Sequence, residues 1–296
     1  MIHIDRRLEV LLWLAGFAAI VLAGSYWLTP ADTSAGDKRH VRIGYVSWAE
    51  GIAMTHLAKV VLEQEMDYTV SLTMADPAPI FTSLAKGDFD FFLDAWLPLT
   101  HKPYMEKYGD TLVDLGYNYK DARIGLVVPA YVEVSSIPQL ADQAGKFDND
   151  ITGIDSGAGI MKATRKAIQA YGLDLTLLTS SGAAMTASLK DAIAAEQPIV
   201  VTGWKPHWMF ARWRLRFLED PKTVYGKAEN IHTIARPAIA RDLPEAADFF
   251  ERFFFTDQQI GSLMDEVNQA GDPETAARSW MKENRELVES WLPGGS

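Results

Sequence analysis

Two segments of this chain repeat a short pattern in which an indole is followed by a proline: Ala95-Trp96-Leu97-Pro98 and Gly203-Trp204-Lys205-Pro206. A third tryptophan, Trp48, closes the run Ile43-Gly44-Tyr45-Val46-Ser47-Trp48. Indole faces attract cations, each ring contributing roughly 0.5–2 kcal/mol. A second chemistry sits in Gly157-Ala158-Gly159-Ile160-Met161, a glycine loop that opens a helix. Backbone N–H groups left free at that positive helix end make an anion site; a plain tight turn into a helix is the alternative. The dinucleotide fingerprint G-x-G-x-x-G needs glycine where Lys162 stands, so a carboxylate suits the loop better than a pyrophosphate. His101, five residues after Trp96, is close enough to donate to such an anion, or else is a structural histidine. Taken singly, the three tryptophans also read as core or rim residues. Together with an anion site they suit a ligand carrying a cation and a carboxylate. A quaternary ammonium has no N–H to donate, so only π-faces and shape can replace its water.

No catalytic apparatus accompanies these residues. Ser156 and Ser181 lack G-x-S-x-G context, and the histidines (His3, His40, His56, His101, His207, His232) show no metal spacing such as H-E-x-x-H. The absence of cysteine removes disulfides, thiolate nucleophiles and Cys-ligated metals, and no cofactor is implied. With 28 basic against 39 acidic side chains the net charge is −11, which leaves no basic face for nucleic acid. A hydrolase would need a nucleophile and its base, and neither is found. Asp88, Asp90 and Asp94 read as solvated or hinge-facing. Trp208 and Trp213 read as a helix packing its apolar stripe, and Trp280 and Trp291 as core.

The elements that must position these residues are written twice. Strands at 41–46, 68–74 and 89–93 alternate with helices at 51–65 and 78–86, and the order returns with strands at 151–154, 175–178 and 199–202 around helices at 160–171 and 183–195. Trp48 to Trp96 spans 48 residues and Gly157 to Trp204 spans 47. Such alternation predicts an α/β protein with two equivalent lobes, each a mostly parallel sheet flanked by helices, whose strand ends face the ligand. Segments 124–128 and 231–235 predict strands crossing between lobes, and 244–291 predicts helices. The expected organisation is 1–40 as export or anchor segment plus linker, 41–128 as the first part of lobe 1, 129–232 as lobe 2, and 233–296 as the helical completion of lobe 1. Arg6 and Arg7 precede a 19-residue apolar run at 10–28, long enough to span a bilayer, so the body is expected outside the membrane. Cleavage as a signal peptide is the alternative.

These residues resemble the substrate-binding proteins of ABC importers for glycine betaine and related osmoprotectants, the OpuAC type. The likeness is carried by the three tryptophan segments, by His101, and by Gly153-Ile154-Asp155-Ser156-Gly157-Ala158-Gly159-Ile160-Met161, and runs from about residue 41 to 291. It implies a two-lobed periplasmic binding protein of type II that closes on its ligand and is not an enzyme. Trp48, Trp96 and Trp204 would then cage a trimethylammonium group. His101 and the backbone N–H groups of Gly159 and Ile160 would hold the carboxylate. The implied partners are glycine betaine or an analogue, a membrane permease and, through it, a cytoplasmic ATPase, with the receptor itself a monomer on the outer face of the membrane. A membrane-anchored solute sensor using the same cleft is the alternative.

Overall fold

Short β-branched runs separated by capped amphipathic segments make this chain alternate between strand and helix. The computed structural model describes residues 39–294; the expected export or anchor segment lies outside the described residues. Strand β1 (His40–Tyr45) is followed by α1 (Ala49–Glu65), β2 (Thr69–Met74), α2 (Pro77–Lys86), β3 (Phe91–Leu97) and α3 (Lys102–Tyr108). β1 lies parallel to both β2 and β3. Proline starts α2, and Gly87, at φ +83°, ends it in the left-handed conformation that favours glycine. The second unit runs β4 (Val113–Pro129), β5 (Asp150–Thr152), α4 (Gly159–Tyr171), β6 (Thr176–Leu178), α5 (Gly182–Ala194) and β7 (Val201–Lys205). β5 is parallel to β6 and β7, and the Ser181 hydroxyl caps α5 by accepting from the Ala184 N–H. The doubled βαβαβ pattern is therefore present.

After α6 (Met209–Arg212), β8 (Leu215–Phe217) and β9 (Glu229–Ala235), the chain is helical: α7 (Ile239–Asp242), α8 (Pro244–Arg252), α9 (Asp257–Ala270), α10 (Pro273–Glu283) and α11 (Arg285–Trp291). Thr256 and Asp272 cap α9 and α10. The strands line up as β2-β1-β3-β9-β4-β7-β5-β6, with β8 beside β4. Parallel pairs occupy the two flanks, whereas β9 runs antiparallel to β3 and β4, and β4 antiparallel to β7 and β8. The sheet is thus mixed, and its antiparallel middle is where the two halves meet. The crossing expected at 124–128 is the second part of the 17-residue β4, whose first part pairs with β9. That first part is polar in sequence, and pairing with the buried Ile231, Ile234 and Ala235 holds it extended.

Helix α1 buries residues around most of its circumference, among them Met54, Leu57, Val61 and Leu62, because α9 and α10 pack on it from the side opposite the sheet. The end of the chain adds an aromatic cluster in which Trp291 meets Phe253 at 4.8 Å and Phe255 at 5.1 Å. Trp280 and Trp291 are core residues, as expected. Trp208 and Trp213 are not: α6 has only four residues, too short for an apolar stripe, and both indoles are half-buried on the wall of an open groove.

Asp90, expected to be solvated, is 1% exposed and ties three strands together. It accepts from the Arg42 backbone N–H (2.7 Å) and guanidinium (2.8 and 3.0 Å) and from Arg236 Nε (2.7 Å). Burial alone would raise its pKa, but the bonds from Arg42 and Arg236 outweigh burial and hold it below the usual carboxylate value. Its contribution to stability is accordingly present above the ordinary carboxylate range and is lost as pH falls through the lowered value. Replacing Asp90 by Ala is expected to cost about 2–3 kcal/mol in urea unfolding, toward the low side for a buried ion pair because Arg42 is 38% exposed.

Candidate functional site

Trp96 and Trp204 hold the same place in their respective halves, the next-to-last residue of β3 and of β7. Sequence reading ended both strands before the indole; pairing of Trp96 with Ile231 and of Trp204 with Ile124 carries the strands through it. Both are followed by a cis prolyl bond, Leu97-Pro98 and Lys205-Pro206. Trp48 is the residue that enters α1, with extended backbone (φ −88°, ψ 153°), and its carbonyl accepts from the Ile52 N–H at 2.9 Å. The three indoles are 6%, 2% and 3% exposed for Trp48, Trp96 and Trp204. They wall one cavity together with Gly159 and Ile160, and its free space is about 20 Å³. That is room for about one water molecule.

Each edge-fixed indole is held by a carboxylate that the sequence reading missed or misread. Trp204 Nε1 donates to Glu50 Oε2 at 2.6 Å, across the two halves, and Trp96 Nε1 donates to Asp94 Oδ1 at 2.8 Å. Asp94, expected to be solvated or hinge-facing, is 1% exposed, which rules out the solvated alternative; Glu50 was not singled out and is 0% exposed. Burial, and for Glu50 also the proximity of Asp94, raises both pKa values. Sequence carried a signal for Asp94 alone, two residues before Trp96; Glu50 bonds Trp204 from the other half, and its place beside Trp48 does not announce that. Acidic residues so close to tryptophans are candidate indole acceptors.

The anion end is made where the halves touch. Gly159 and Ile160 are the first two residues of α4, whose amides no carbonyl of that helix can reach. Gly159 is there because a Cβ would lie 2.3 Å from Thr100 Cγ2. Thr100 is itself pinned, since Glu229 accepts from the N–H groups of Leu99 (2.5 Å) and Thr100 (2.8 Å) and from the Thr100 hydroxyl. His101 stands one layer back from the cavity wall. It stacks on Trp48 at 5.9 Å and accepts the Trp96 backbone N–H on Nδ1 at 3.0 Å, so Nε2 carries the proton. That Nε2 is buried with no hydrogen-bond partner among the described residues. Burial pushes the His101 pKa down to about 3, so the ring is neutral.

Two α/β halves joined through an antiparallel middle, with matched tryptophans walling the small cavity between them, are the architecture of a type II periplasmic binding protein. Residues 39–283 match the family model for the substrate binding domain of ABC-type glycine betaine transport systems, and the chain belongs to that family. It is 50% identical over 156 residues to the glycine betaine/carnitine transport binding protein of Listeria monocytogenes, a match covering 52% of each chain, so this chain spans about half the length of that curated relative. The lactococcal OpuAC structure in complex with glycine betaine is 37% identical, with a TM-score of 0.81 over 86% of this chain and 100% of that one. A choline binding protein of an ABC transporter, in complex with choline, is 26% identical with a TM-score of 0.79 over 87% and 92%.

Replacing Gly159 by Ala would force the Thr100 wall outward. With glycine betaine as probe, tryptophan-fluorescence titration is expected to show at least about tenfold weaker binding than the parent chain, with the circular dichroism spectrum unchanged.

Proposed function

We propose that this protein binds glycine betaine, or a close analogue such as proline betaine or carnitine, outside the cytoplasm and delivers it to a membrane permease driven by a cytoplasmic ATPase, without catalysing a reaction. The observation that carries this reading is the convergence of Trp48, Trp96 and Trp204 with the helix-end amides of Gly159 and Ile160 on one cavity. In it the indoles receive the trimethylammonium group and the two amides the carboxylate, and His101 Nε2–H, outside the cavity wall in this closed form, comes within reach of the carboxylate when the lobes re-close on the ligand. Residues 41–128 with 233–296 form one lobe and 129–232 the other. Because the free space is about 20 Å³, the lobes part to admit the ligand and close over it. β4 and the segment leading into β9 are the strands about which they move. The apolar run at 10–28 tethers the receptor to the membrane or directs its export.

The energies are sufficient. Three cation–π contacts give up to about 6 kcal/mol, and charge-assisted bonds to the carboxylate add about 1.5–3 kcal/mol each. A micromolar constant needs about 8 kcal/mol, which leaves a margin for ordering costs.

Calorimetry with glycine betaine is expected to give a dissociation constant in the micromolar range; no heat and no tryptophan-fluorescence change at millimolar ligand would refute the reading. Trp96→Ala is expected to weaken binding at least about tenfold, the loss of one ring at the stronger end. His101→Ala is expected to weaken glycine betaine more than choline, which has no carboxylate, and equal losses would remove His101 from the anion end.

A further inference from the structure

Glu50 and Asp94 lie fully buried at the cage, Glu50 among the residues that line its cavity, and neither makes an ion pair among the described residues. One oxygen of each accepts an indole N–H. The other two, Glu50 Oε1 and Asp94 Oδ2, have no hydrogen-bond partner among the described residues. The segments that carry them touch: a Cβ placed on Gly51, next to Glu50, would sit 2.6 Å from Asp94 Oδ2. Asp94 thus faces the backbone beside Glu50 and its charge raises the Glu50 pKa, and two buried carboxyl groups that feel one another in this way resist ionising together, so that their protons belong to the pair.

Resting on the betaine reading above, we propose that Glu50 and Asp94 share a proton in the ligand-free protein and surrender it to solvent when a quaternary ammonium enters the cage. Ligand binding and proton release are then one linked event, with the pair acting as positioning residues for two indoles and as the counter-charge for the cation.

The groups facing the pair leave it as the titrating element. His101, behind Trp48, and His207, edge-on to Trp204 at 4.6 Å, are both pushed down to about 3 by burial and stay neutral. Tyr119 on β4 is pushed up by burial and by its bond to Asp257, so it stays protonated. Lys205, after Trp204, is engaged by Asp257 at 2.5 Å. Asp155 receives the Ser47 hydroxyl at 3.4 Å, and Glu229 is engaged by residues 99 and 100. The ligand's ammonium is thus the positive charge that reaches the pair. Burial pushes Asp94 up to about 7, against the pull of the Trp96 N–H, and burial raises Glu50 well above its usual value. The sign follows. A cation favours the ionised pair, so affinity rises with pH up to the pair's raised value and levels off above it.

The test is calorimetry on the exported chain with glycine betaine at pH 6, in two buffers of different ionisation enthalpy, which counts protons. A net release approaching one proton is expected, falling toward zero at pH 9, with affinity about tenfold higher at pH 8 than at pH 6. Choline, which has the same cation and no carboxylate, is expected to release the same number. Glu50→Gln combined with Asp94→Asn keeps an acceptor for each indole and is expected to bind without proton exchange. Intact binding with no proton release in the parent chain overturns this proposal alone, as does release with glycine betaine but not with choline, or wild-type release from the double variant. If the double variant fails to fold, the parent chain's proton count decides. Failure of both ligands to bind at any pH overturns the betaine reading, and this proposal with it.

Discussion

The cage depends on where its indole N–H groups go. A buried indole needs an acceptor for that hydrogen, and here Trp204 finds it on Glu50 and Trp96 on Asp94. Once the N–H edges are tied back, the faces are what remains to present to the cavity. The tie on Trp204 is also a bond between the two halves of the sheet, since Glu50 enters α1 and Trp204 closes β7. Such anchoring is costly, because both acceptors are acidic and buried without a cation. Neutral amides or hydroxyls would accept an indole at less cost. Two carboxyls there indicate that the site has a use for negative charge.

The same constraint explains why the contacts that join the halves are also the contacts that shape the site. Glu50 reaches Trp204, Ser47 reaches Asp155, and Thr100 packs on Gly159. Each partner lies at the end of a strand or the start of a helix, where a mixed sheet turns its parallel flanks toward one another. Two further carboxylates brace the rims: Glu229 holds residues 99 and 100, and Asp257 holds Lys205 beside Trp204. The contacts that join the halves and the walls of the cavity are therefore one set of residues.

Much of this was legible in the sequence. The duplicated βαβαβ order follows from hydrophobic period and turn residues, and the two Trp-x-Pro segments mark equivalent positions in each unit. What was not legible has physical reasons. The first part of β4 is polar and carries no strand signal in the sequence, and it becomes strand only because β9 supplies a ladder beside it. Asp90 and Asp94 looked solvated because isolated acidic residues usually are. Their burial depends on partners remote in sequence or on an indole whose rotamer sequence does not reveal. Trp208 and Trp213 fit a helical stripe by spacing, but four residues of α6 cannot make one.

On the proposed reading, the arrangement would favour a quaternary over a primary ammonium. A primary ammonium carries three N–H donors, and each must find an acceptor when it leaves water. Glu50 lines the cavity, but one oxygen of each carboxyl is already taken by tryptophan, so a primary ammonium would forfeit at least one bond it had in water. A trimethylammonium group has no donor to leave unpaired, spreads its charge over methyl surfaces that fit flat rings, and still feels the negative pair beneath them. Discrimination built on an unmet hydrogen bond is stronger than discrimination by a methylene of size. A cage of this kind would select by how little it provides to an N–H, with the buried pair adding attraction for any cation.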